Sequence, residues 1–102
     1  MLDLTGDQLR IISSVLSAQV PGAEAWAFGS RVKGTARPYS DLDITIAATE
    51  PLSLLAKGLL KSAFEESDLP FRVECLDWHT LSEEFKNVIK DQRVRLNAPP
   101  YF

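Results

Sequence analysis

Gly29-Ser30, ten intervening residues, then Asp41-Leu42-Asp43: these types at this spacing suit phosphoryl chemistry. A small-residue turn brings backbone N–H groups close to anionic oxygens, and a serine adds a hydroxyl donor. Two carboxylates two residues apart on a strand project from one face. So placed, they can bridge Mg²⁺, which prefers oxygen ligands and keeps substrate phosphates in its shell. A pair of such ions stabilises both the attacking and the leaving oxygen of a displacement. A third acid on a neighbouring strand would complete the site. Glu74 is the candidate, because its parity sets it opposite Phe71, Val73 and Cys75. Asp77 is a rival, with the opposite parity on a straight strand.

The elements that must position these residues are legible as patterns. Residues 5–19 read as a helix, with Leu9, Ile12, Val15 and Leu16 at helical spacing and a capping box at Thr5 and Gln8. Pro21-Gly22 ends it. Residues 24–28 read as a strand, and Gly29-Ser30 turns the chain into a short helical turn. Gly34 to Ser40 reads as a loop. Residues 41–47 read as a strand with Leu42, Ile44 and Ile46 on one face and Asp41, Asp43 and Thr45 on the other.

A second amphipathic helix is expected over 51–66, with Leu52, Leu55, Leu59, Leu60, Ala63 and Phe64 as core candidates. Residues 71–76 read as a third strand, and Thr80 with Glu83 as the capping box of a helix carrying Leu81, Phe85, Val88 and Ile89. The expected class is α/β (α+β): a small mixed β-sheet backed by helices, with an open acidic face. One domain is expected over residues 1–102, of which about 91–102 form a C-terminal tail ending in Tyr101-Phe102.

Bulk properties narrow the function classes. A net charge of −3 over 102 residues argues against direct nucleic-acid binding, which needs a basic surface. No apolar run is long enough to span a bilayer, so no membrane role is expected. The first residues lack the basic and apolar regions of a signal peptide, and the single cysteine, Cys75, permits no intrachain disulfide. A cytoplasmic location is the simplest expectation. His79 has no second His or Cys at ligand spacing, which disfavours zinc. Arg31, Lys33 and Arg37 suit phosphate neutralisation and loop solvation alike.

The stretch resembles the nucleotidyltransferase domain of the DNA polymerase β superfamily, whose pattern is Gly-Ser, a spacer, Asp-x-Asp and an acid on a later strand. It is most similar to the minimal nucleotidyltransferases, the MNT proteins. The residues that carry the likeness are Gly29-Ser-Arg31, Gly34-Thr-Ala-Arg-Pro38, Ser40-Asp-Leu-Asp-Ile44 and Val73-Glu-Cys-Leu-Asp-Trp78. The resemblance implies that Gly29, Ser30 and Arg31 bind the nucleotide. It implies that Asp41, Asp43 and Glu74 are the catalytic and metal-binding acids, holding Mg²⁺ as two ions, with ATP as substrate. It further implies an antitoxin that transfers AMP from ATP to a hydroxyl, a tyrosine, of a HEPN-domain toxin, within a homo- or hetero-oligomer. One departure stands out: most relatives carry Asp at the third acid, and Glu74 is one methylene longer. That keeps open a catalytically impaired binding module that neutralises a HEPN partner by contact. A small-molecule, antibiotic-type nucleotidyltransferase is a further alternative, disfavoured by the lack of a second domain for the acceptor.

Overall fold

A computed structural model describes residues 2–96. The elements run α1 (Gly6–Gln19), β1 (Glu24–Phe28), α2 (Ser30–Lys33), β2 (Leu42–Ala47), α3 (Leu54–Glu65), β3 (Val73–Asp77), a 3₁₀ turn (Trp78–Thr80), α4 (Glu83–Lys90) and β4 (Val94–Arg95).

Helices α1, α3 and α4 each begin where a side chain satisfies an orphan backbone donor. At α1 the capping box forms as expected. Thr5 Oγ1 accepts from Gln8 N at 3.1 Å and Gln8 Oε1 accepts from Thr5 N at 2.9 Å. Ser53 caps α3 by accepting from Ala56 N at 3.0 Å. The expected Thr80–Glu83 box does not form. Asp77 opens a 3₁₀ turn by accepting from His79 N, and Thr80 Oγ1 donates back to the Asp77 carbonyl. Ser82 caps α4 instead, accepting from Phe85 N at 3.1 Å, so Leu81 lies outside that helix.

The sheet has the strand order β3-β2-β1-β4. β1 is antiparallel to β2 and β4, and β2 is parallel to β3. β4 falls within what the sequence presents as tail; its two residues pair with Trp26 and Ala27. The expected aromatic end at Tyr101-Phe102 lies outside the described residues.

One sheet face is the main core. Ala25, Ala27, Leu42, Ile44, Ile46 and Val73 meet Ile12 and Leu16 of α1 and Leu60 and Phe64 of α3. The remaining leucines of α3 do not follow. Leu55 is 73% and Leu59 51% exposed, a correction to the expected core. Each lies about 100° or more around the helix from the Leu60–Phe64 stripe. The opposite sheet face is only partly open. Ile89 of α4 is fully buried outside the main core, and Phe85 packs edge-on against Phe28 at 5.8 Å between ring centroids. Thr45, on the same sheet face as Phe28, is also fully buried. The acids occupy the end of this face nearest the β1–α2 turn.

Candidate active site

The register brings the acids together. Phe28 is paired with Asp43 across β1 and β2, and Asp43 with Glu74 across β2 and β3. These three residues therefore share one rung and one face. Asp41 lies just before β2, and Leu42 N donates to the Arg72 carbonyl at 2.9 Å, which carries the β2–β3 pairing down to this level.

Gly29 follows Phe28 directly. Its φ of 83° and ψ of −153° belong to a region that L side chains rarely adopt. A Cβ there would lie 2.5 Å from Asp43 Oδ2. The glycine thus lets the turn close over the Asp43 carboxylate. Gly29 N donates to Gln92 Oε1 at 2.9 Å, and the Gly29 carbonyl accepts from Val32 and Lys33 N–H groups. Gln92 fixes this turn from 63 positions away, a contact no local pattern reveals. Ser30 begins α2 and is half-buried.

Crowding of like charges shapes the electrostatics. Burial first, then Glu74 and Asp41, raise the Asp43 carboxyl above its ordinary value. Asp41 Oδ2 accepts from Arg72 Nη2 at 3.0 Å. The Cys75 thiol, on the opposite sheet face, is pushed up to about 12 by burial and by Glu74, so it stays protonated.

The other sequence candidates are placed differently. Arg31 is 4% exposed, and its guanidinium donates to the carbonyls of Asp3, Pro38 and Ser40 at 2.9–3.1 Å while lying over the Phe71 ring. It anchors the loop that delivers Asp41. Asp77 is buried at the far end of β3 from Glu74. Its two oxygens accept from Leu52 N at 2.8 Å and His79 N at 3.0 Å. Glu74, not Asp77, therefore stands beside Asp43. His79 Nε2 lies 2.7 Å from the Ala48 carbonyl, a structural contact.

Among the described residues, no three His, Cys, Asp or Glu side chains converge as a ready metal-ligand set. The donor chemistry nevertheless fits a hard divalent cation. Asp43 and Glu74 are adjacent and Asp41 lies close enough for its charge to act on Asp43, so the three carboxylates offer oxygen donors to such an ion.

Comparison with known proteins shows the family and the fold. The family model for the nucleotidyltransferase domain matches residues 9–97. A probable protein adenylyltransferase MntA from Haemophilus influenzae is 53% identical over 89 residues, covering 87% of this chain and 78% of that protein. The fold is similar to a crystal structure of a toxin–antitoxin with AMP-PNP, with a TM-score of 0.75 at 24% identity, over 91% of this chain and 75% of that one. It is also similar to a complex of tri-AMPylated Shewanella oneidensis HEPN toxin with MNT antitoxin. There the TM-score is 0.68 at 22% identity, over 91% of this chain and 71% of that one. The chain belongs to the nucleotidyltransferase-domain family, as one of its minimal members, and is a nucleotidyltransferase.

Proposed function

We propose that this chain transfers AMP from ATP to a hydroxyl, a tyrosine side chain, of a HEPN-domain partner, and so acts as its antitoxin. The observation that carries this reading is the single rung on which Asp43 and Glu74 lie beside the Gly29 turn. The Haemophilus relative, named as a probable protein adenylyltransferase, supports the reaction class and the kind of acceptor.

Gly29 and Ser30 bind the triphosphate at the head of α2, and Arg31 keeps the following loop in place. Asp41, Asp43 and Glu74 hold Mg²⁺. When bound, Mg²⁺ neutralises phosphate charge and assists departure of pyrophosphate. The acceptor oxygen attacks the α-phosphorus, the bond to the bridging oxygen of the β-phosphate breaks, and pyrophosphate leaves. Glu74 takes the hydroxyl proton. Positioning and charge neutralisation supply most of the rate.

A second reading draws on two observations. Glu stands at the third-acid position, and Asp41 is bound by Arg72. Both suit a protein that neutralises its partner by contact. Co-expression of the toxin with the Asp41→Asn/Asp43→Asn variant separates the two. Loss of protection by a folded, abundant variant is the outcome expected of an enzyme. Full protection would establish contact as the mechanism.

A further inference from the structure

At the level of the Arg72–Asp41 ion pair, the backbone bond from Leu42 N to the Arg72 carbonyl already joins the strands. The pair's side chains are exposed, 72% for Arg72 and 36% for Asp41, so it adds little stability. Its position is what gives it meaning. Arg72 and Glu74 are two apart near the start of β3, and the guanidinium lies against Asp41, whose charge acts on the half-buried Asp43. Glu74 also attracts it. A cleft of about 370 Å³ between α3 and β3, lined by Arg72 together with Glu65, Glu74, Lys57 and Lys61, leaves the side chain room to withdraw.

We propose that Arg72 is a built-in counter-cation of the acidic site, pairing with Asp41 when no metal is bound and competing with a divalent cation for that carboxylate. It rests on the metal role given to Asp41 above. Arg72 is then a positioning residue: it keeps three neighbouring carboxylates assembled without metal and lowers the affinity for metal alone. Binding a divalent cation through Asp41 breaks the 3.0 Å contact and releases the guanidinium.

The test is Mn²⁺ uptake by the nucleotide-free protein, followed by loss of the free-ion electron paramagnetic resonance signal. Arg72→Gln binds Mn²⁺ about two- to fivefold more tightly than wild type, the scale of an exposed ion pair. Arg72→Lys, which keeps the charge, stays near wild type. In an Asp41→Asn background, the gain from Arg72→Gln largely disappears. Unchanged or weaker binding in Arg72→Gln overturns the proposal, as does an equal gain in the Asp41→Asn background. Equal Mn²⁺ uptake by wild type and Asp41→Asn/Asp43→Asn, or no uptake at all, instead overturns the metal role of the acids, and the competition with it. Circular dichroism checks that each variant is folded.

Discussion

Ionised Asp43 carries a cost of definite sign. Its folded carboxyl is raised from the ordinary 3.8 by burial and by Glu74 and Asp41. The native state therefore holds that proton more tightly than the unfolded chain does. Stability falls as pH rises from the unfolded value through the raised folded value, and the penalty is complete above it. Asp43→Asn is expected to melt at a higher temperature than wild type at pH 7, with the difference closing as pH falls below about 3.8. Thermal melts across pH check this. An Asp43→Asn variant less stable than wild type at pH 7 would mean that Asp43 is already compensated.

Gly29 is the complementary case, a residue whose lack of a side chain the turn over Asp43 requires. Gly29→Ala forces a methyl against Asp43 Oδ2 in a backbone region unsuited to alanine. It should cost about 1–3 kcal/mol of stability and most of the transfer activity. Denaturant melts and single-turnover assays read the two effects separately.

At the scale of elements, α4 covers part of the sheet face that carries the acids, burying Ile89 and meeting Phe28 through Phe85. Thr45, on the same sheet face, is fully buried with Oγ1 lacking a hydrogen-bond partner among the described residues. An unsatisfied buried hydroxyl costs about 1–3 kcal/mol. Thr45→Val keeps the shape and removes that cost, so it should raise stability by roughly 1 kcal/mol with little change in activity. A lower melting midpoint would show that Thr45 has a partner in solution.

Elements also mark how far the sequence could be read. The strand carrying Asp43 and the parity of Glu74 were legible because alternation has a period of two and each strand presents a buried apolar face. The Thr5–Gln8 box was legible because all its groups are local. Thr80–Glu83 has the same spacing, but Asp77 diverts Thr80 into a 3₁₀ turn and leaves capping to Ser82. Leu55 and Leu59 lie outside the stripe that the sheet can cover. β4 could not be foreseen, since two residues carry no period and its pairing with β1 is wholly non-local.

At the scale of the whole molecule, residues distant in sequence complete the site. Gln92 secures the Gly29 turn, Arg31 ties residue 3 to the loop over 38–40, and Arg72 meets Asp41 from the neighbouring strand. Side-chain reach across the fold decides such contacts, which is why Arg31 suits phosphate neutralisation and loop solvation alike in sequence and stands in the structure as a buried loop anchor. Among the described residues, no helix is long and apolar enough to cross a membrane. An acceptor supplied by a partner protein suits so small a sheet, in which the acid rung lies near one end of a partly covered face.

The most direct measurement is the intact mass of the HEPN partner after incubation with this protein, ATP and Mg²⁺. The expected result is a gain of one or more AMP units, absent with Asp41→Asn/Asp43→Asn and strongly reduced with Glu74→Gln. An unchanged partner mass across nucleotides and divalent metals, with the two proteins still in a stable complex, would contradict transfer. An equal gain with the doubly substituted protein would remove these acids from the chemistry.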